Sequence, residues 1–161
     1  MVIFGIDPSL NSCGYCAINC VSNSINLLCL GTIESKTGGE MYPKLNKIFD
    51  VIRTQYTQYK PDILAIEDVY VNSNPQTSLK LGIVRGVCMA NFLDNKTEIL
   101  SFESRLVKKT LTGNGNADKM QIQYMLKHIL PSANPKTDDE SDALAIAITA
   151  YLTKTTNKIG S

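Results

Sequence analysis

The order of apolar runs predicts an α/β fold: a five-stranded mixed sheet flanked by helices on both faces. Three observations carry this expectation. Three strand-like runs open the chain, joined only by short polar linkers. Two later runs, 63–67 and 98–102, are short and apolar, the first with no alternation, as a buried parallel strand is. Helical patterns of period 3.6 separate and follow those two runs. Strands first, then helix–strand–helix–strand–helices, is the order of a mixed sheet covered on both sides.

Each element can be justified in turn. The first strands are expected at 2–7, 14–20 and 25–33, with linkers 8–13 and 21–24 short enough for antiparallel hairpins. Gly38-Gly39 ends that block. A helix over 42–59 places Leu45, Ile48, Ile52 and Tyr56 on one stripe, and Pro61 stops it. Strand four, 63–67, follows. Residues 69–77 read as a polar loop, and a helix is expected over 78–93. That helix carries Gly82 and Gly86 one turn apart. An interior helical glycine costs about 1 kcal/mol, so a close neighbour is expected: the sheet, a second subunit or DNA. Strand five is 98–102, and helices follow over 104–112 and 118–130 with the turn Gly113-Asn-Gly-Asn between them. Pro131 and Pro135 bracket a linker before a last helix over 138–152. Residues 1–152 form a single domain in this reading, and the polar tail 153–161 is expected to fray.

Composition narrows the classes. A chain of 161 residues suits one core, and no run approaches the roughly 20 apolar residues of a membrane span. The chain enters its first strand without a basic, apolar leader, so a cytoplasmic location is expected. A net charge of +1 neither supports nor excludes nucleic acid, but its distribution is informative. Residues 103–127 hold five bases (Arg105, Lys108, Lys109, Lys119, Lys127) against two acids, immediately before an acidic cluster. A positive flank beside a negative pocket suits a phosphodiester next to a metal site, although a solvated helical face has the same look. The five cysteines include Cys13-Gly-Tyr-Cys16, but on a strand residues three apart point to opposite faces. Reduced structural thiols are therefore expected rather than a zinc or redox pair. The one histidine, His128, falls on the polar side of its helix and reads as a surface residue.

The chemistry is carried by acids. Asp138, Asp139, Glu140 and Asp142 crowd the mouth of the last helix, just before apolar Ala143–Ile148. Asp7 and Glu67 each end a buried strand. First-turn acids complement the helix dipole and cap free N–H groups, which accounts for one or two of the four. Asp7 before Pro8 could serve an Asx turn and Glu67 could pair with a lysine. Taken together, converging carboxylates point to a hard divalent cation with oxygen ligands, and Mg²⁺ suits a site without His or Cys. Two such ions about 3.5–4 Å apart can generate a nucleophilic water and stabilise the leaving oxygen of a phosphodiester. Asp138 and Asp139 are both spaced to share a face with Asp142, and spacing does not choose between them.

Gly5-Ile-Asp7-Pro-Ser, Ala65-Ile-Glu67-Asp, Ser78-Leu-Lys-Leu-Gly82 with Arg85-Gly86, Ala117-Asp-Lys119 and Asp139-Glu-Ser-Asp142-Ala-Leu-Ala-Ile-Ala resemble the RuvC Holliday-junction resolvases, in the family's order from residue 3 to about residue 151. The resemblance implies a ribonuclease H-like fold. It also implies paired, symmetric cleavage of four-way DNA junctions in recombination and repair, by a homodimer using Mg²⁺ or Mn²⁺, two ions per active site. The catalytic and metal-binding carboxylates would be Asp7, Glu67, Asp139 and Asp142, which favours Asp139 over Asp138. Lys108 and Lys119 match the basic residues near the scissile phosphate. Tyr70 stands where relatives often carry a phenylalanine that stacks on unpaired bases. Lys80 and Arg85 in the quoted motif, and Arg105 in the basic stretch, are further candidate DNA contacts. The glycine-bearing helix would lie at the dimer interface, with Gly82 and Gly86, and the RuvA–RuvB branch-migration complex would be a partner. The rival readings are an RNA–DNA hybrid nuclease of the same superfold and a non-catalytic junction-binding protein, which would not need four acids. A sugar-kinase-like ATPase would need a second phosphate loop and domain, for which 161 residues leave no room.

Overall fold

Ile3, Phe4, Gly5 and Ile6 are all buried, so the first strand is covered on both faces, and its position in the sheet follows from that. The computed structural model describes residues 1–22, 24–35, 38–69, 74–93 and 96–159, with side chains described to residue 156. The strands are β1 (Val2–Asp7), β2 (Ser12–Val21), β3 (Ser24–Glu34), β4 (Ile63–Glu67) and β5 (Glu98–Phe102). They form one sheet of order β3-β2-β1-β4-β5. β1–β2 and β2–β3 pair antiparallel, as short polar connections require, while β1–β4 and β4–β5 pair parallel through helical crossovers. The fold is the expected five-stranded mixed α/β sheet.

The helices are α1 (Met41–Tyr59), α2 (Pro75–Ala90), α3 (Ser104–Thr112), α4 (Lys119–Ile129) and α5 (Asp138–Ile159). They divide between the two faces. On one, Phe4, Ile6, Leu64 and Ile66 pack with Ile48 and Ile52 of α1 and Val84 and Cys88 of α2. On the other, Ile3, Ile18, Ile63 and Ala65 pack with α3, α4 and the apolar length of α5, including Leu144, Ile146 and Ile148. Cys13 and Cys16 belong to opposite clusters, as strand alternation dictates, and the described cysteines are free thiols.

The larger differences from the sequence reading are in β2, which begins at Ser12 rather than residue 14, and at the ends of two helices. α2 begins at Pro75, not residue 78, because Asn74 caps it by accepting from the Gln76 and Thr77 N–H groups, and proline suits a first helical position. It ends at Ala90 rather than residue 93. α5 continues to Ile159, so residues 153–159 are helical rather than a frayed tail. There the Thr153, Thr155 and Thr156 hydroxyls bond carbonyls of the preceding turn, and Lys154 pairs with Glu98 at 2.6 Å.

Candidate active site

The parallel register pairs Ile6 with Ile66, so Asp7 and Glu67 emerge side by side from the C-terminal edge of the sheet's two central strands. Loops at that edge are where open α/β sheets build their sites. α5 packs on β1 and β2 with its first turn at the same edge, which brings in the third source of carboxylates.

The structure separates the four acids at the start of α5. Glu140 is buried and accepts the Lys136 N–H at 2.6 Å, while its own N–H donates to Thr137 Oγ1 at 3.1 Å. That makes Glu140 a capping residue. Asp138 is exposed and accepts from Lys119 Nζ at 2.6 Å. Asp139 takes a hydrogen bond from the Ser12 hydroxyl and turns inward, and Asp142 lies one turn further on. Capping and a surface ion pair thus account for two of the four. Asp139 and Asp142 remain.

Their electrostatics show the crowding. Asp7 is pushed up to about 7 by burial first, then by the charges of Asp142, Glu67 and Asp139, with Lys119 opposing. Glu67 is raised by burial and by Asp142, against a hydrogen bond from Ser104 and the charge of Lys108. Asp142 is exposed as a residue, yet burial of its carboxyl raises it first, then the charges of Asp138 and Asp139, while Lys119 and Lys108 pull it back. Four carboxylates from β1, β4 and α5 therefore share one field with two lysines at its margin. Repulsion of this kind is what a bound cation relieves.

A cleft of about 180 Å³ opens beside them, walled by Glu67, Ser104, Lys108, Lys119, Asp138 and Asp142 among others. Asp7 and Asp139 are not among its walls and connect to it through the charge of Asp142. Lys108 comes from α3 and Lys119 from the first turn of α4, which is fixed by a capping box between Asp118 and Gln121. Ser104, at the first position of α3, was missed in the sequence; its only signal is that it opens a helix directly after a strand ending beside Glu67.

Among the described residues no three His, Cys, Asp or Glu side chains close round one point tightly enough to hold an ion by themselves. The donor set nevertheless fits Mg²⁺, which retains several waters and takes one or two carboxylates plus phosphate oxygens.

The remaining candidates are dispersed. Arg85 is a clamp within the protein: Nε donates to the Glu67 carbonyl at 3.1 Å, and the guanidinium reaches Asp68 at 3.3 Å and Ser101 at 2.5 Å. Arg105 lies along the Gly113–Gly115 turn, where a Cβ at Gly115 would come within 2.8 Å of its Cγ. Lys80 is exposed on α2. Tyr70 lies outside the described residues. Gly82 and Gly86 have nothing within 4 Å of a Cβ position, so the sheet is not their neighbour. With exposed Leu79 and Ile83 they form a solvent-facing stripe at spacings of three and four. His128 is exposed, with Nδ1 2.9 Å from the Tyr124 carbonyl.

The chain matches the family model "Crossover junction endodeoxyribonuclease RuvC" over residues 3–150. It is 38% identical over 155 residues to the protein of that name from Rickettsia bellii strain RML369-C, spanning 96% of this chain and 99% of the relative. The Rickettsia typhi protein of the same name is 37% identical over the same span. In architecture it is similar to T. thermophilus RuvC in complex with Holliday junction substrate, with a TM-score of 0.89 at 21% identity over 98% of this chain and 96% of that one. The Fowlpox virus resolvase, in complex with Holliday junction DNA, matches at 0.60 and 16% identity over 96% of this chain and 99% of its own.

Proposed function

The chain belongs to the RuvC family of crossover junction endodeoxyribonucleases, and on that footing we propose that it resolves four-way DNA junctions by paired, metal-dependent hydrolysis of opposed phosphodiesters. The observation that carries this reading is the convergence of Asp7, Glu67, Asp139 and Asp142 from three different elements, with Asp7, Glu67 and Asp142 raised and Lys108 and Lys119 at the edge. A non-catalytic binding protein has no use for carboxylates held at such electrostatic cost.

Asp7, Glu67, Asp139 and Asp142 would hold the cation, Mg²⁺ or Mn²⁺, with two ions in one centre. Bound there, divalent ions lower the pKa of water and stabilise the leaving oxygen. The protein's own groups do the rest. Ser104 donates to Glu67 and favours its ionised form against burial and the charge of Asp142. Arg85 fixes the backbone at Glu67 by bonding its carbonyl, so the strand end does not relax away from Asp7. Lys108 and Lys119 neutralise the phosphate as it arrives beside the acids. Lys119 must exchange Asp138 for the phosphate, a cheap step because that ion pair is exposed. Arg105, on α3 beside the Gly113–Gly115 turn, and Lys80, on α2, contact the backbone of a DNA arm. Tyr70 stacks on bases at the junction centre.

Two symmetric cuts need two centres related by a two-fold axis, which an isologous homodimer supplies. The exposed Leu79–Gly82–Ile83–Gly86 stripe of α2 is the proposed interface, since small residues between apolar ones admit a close second helix. RuvA–RuvB is the proposed partner at the junction. No helix among the described residues is long and apolar enough to cross a membrane, and the proposed DNA substrate puts the enzyme in the cytoplasm. Cleavage of a synthetic four-way junction against an RNA–DNA hybrid duplex, each with and without Mg²⁺, tests the reading. Two symmetric nicks in the junction are expected. Preferential cutting of the hybrid would replace junction resolution with hybrid nuclease activity.

A further inference from the structure

We infer that Ser12 and Gly14 form a seat on β2 that sets Asp139 against Asp7, which makes them positioning residues of the carboxylate centre. The inference rests on the proposed role of Asp139 as a cation ligand and adds what holds it there. Residues two apart on a strand share a face, so Ser12 and Gly14 both look towards α5. The Ser12 hydroxyl donates to Asp139 Oδ2 across 127 residues of sequence. A Cβ at Gly14 would lie 2.0 Å from the Asp139 carbonyl oxygen, 2.4 Å from its carbonyl carbon and 3.0 Å from its Cβ. No side chain fits in that gap.

Gly14 is not needed for its backbone conformation: the glycines with positive φ are Gly38, Gly39 and Gly113. Space alone demands it. Its place in the ladder explains why this matters for the site. Gly14 pairs with Asp7 on one side and Thr32 on the other, so three adjacent strands present Asp7, a bare backbone step and Thr32 in one row. The start of α5 lies over that row. Thr137 Oγ1 is 2.8 Å from Thr32 Oγ1, Asp139 sits on Gly14, and its carboxylate is held by Ser12. Filling the step at Gly14 lifts the first turn of α5 and widens the gap between Asp139 and Asp7. Removing the Ser12 hydroxyl leaves the helix in place but frees the carboxylate to rotate. Hydrogen bonds to metal-ligating side chains fix ligand orientation in this way.

The test uses the full chain without DNA and reads Mn²⁺ binding by calorimetry or electron paramagnetic resonance, alongside melting temperature and junction binding in EDTA. Ser12→Ala should weaken Mn²⁺ binding by about tenfold, the scale of such supporting bonds, with melting temperature and EDTA junction binding unchanged. Ser12→Thr, which keeps the hydroxyl, should restore the ion. Gly14→Ala should lose the ion and lower the melting temperature; if it does not fold, the Ser12 pair decides. Ser12→Ala binding Mn²⁺ like the wild type would overturn the seat. Asp139→Asn separates the two levels. If it loses the ion while Ser12→Ala and Gly14→Ala keep it, only the seat falls. If Asp139→Asn binds Mn²⁺ normally, the ligand assignment falls and the seat with it.

Discussion

Replacing Asp7 with asparagine should inactivate the protein and make its metal-free form more stable. Asp7 rises from an ordinary 3.8 to about 7, because burial and three neighbouring carboxylates disfavour its charge. Below about pH 4 the group is protonated in both folded and unfolded chains, and wild type and Asp7→Asn should be equally stable. Between about pH 4 and 7 the unfolded chain gives up its proton first, so the folded wild type loses stability as pH rises. The full rise corresponds to about 4 kcal/mol at about 1.36 kcal/mol per unit. Asp7 is only partly shielded from water, so about 2 kcal/mol is the expectation. At about 2–4 °C per kcal/mol for a chain of this size, Asp7→Asn should melt roughly 4–8 °C higher than wild type at pH 8 in EDTA. Millimolar Mg²⁺ should then raise the wild type selectively, since an amide offers less to a cation. Melting curves at pH 4 and pH 8, with junction cleavage and binding measured in parallel, are sufficient. An Asp7→Asn protein that is no more stable than wild type at pH 8, or that fails to bind junctions, would refute the electrostatic account and assign Asp7 to folding.

Further substitutions probe the other residues. Asp139→Asn should lose cleavage, whereas Asp138→Asn, which breaks only an exposed ion pair with Lys119, should keep most activity and nearly all stability; equal damage from both would remove Asp139 as the preferred ligand. Lys108→Ala and Lys119→Ala should slow cleavage and each lower the salt slope of junction binding by about one. An unchanged slope in both would mean neither neutralises a phosphate in the bound state. Gly86→Leu should give a folded monomer that nicks junctions singly, because a Cβ at this exposed position has nothing within 4 Å in its own chain. Light scattering and a supercoiled cruciform plasmid read the two outcomes, and a dimer that still makes paired cuts would dismiss this interface.

Strand order and helix faces were legible because each depends on patterns of local period. The runs at Ile63–Glu67 and Glu98–Phe102 coincide with β4 and β5, and Leu45, Ile48 and Ile52 are the buried stripe of α1. The convergence of Asp7 and Glu67 with the acids of α5 was legible because three separate acidic positions at element ends are harder to explain together than singly. Less legible was anything decided by contact between distant segments. Asn74-Pro75 looked like loop chemistry, yet it is the cap and first residue of α2. Residues 153–159 looked too polar to stay helical, but threonine hydroxyls and the Lys154–Glu98 pair hold the last turns. That Arg85 would bond the Glu67 carbonyl at the end of β4 was not legible, because the two residues are joined only by the packing of α2. Ser12 lay in an expected linker and Gly14 in an expected strand; a glycine within a strand signals a close approach, but not to what.

The placement of Asp139 and Asp142 on α5 has a consequence for the order of events during synthesis. Asp139 meets its Ser12 partner across 127 residues, which at about 5–20 residues per second is a delay on the order of 10 s. The β1–β2–β3 meander and the β4 strand can pair on the ribosome well before the acids of α5 have emerged. During that interval the nascent chain carries Asp7 and Glu67 but lacks Asp139 and Asp142, so a chain released early presents the sheet with two of the four proposed ligands missing. On the proposed roles of Asp139 and Asp142, competence to cut DNA is thereby tied to completion of the fold, because the helix that closes one face of the sheet also delivers the last charges.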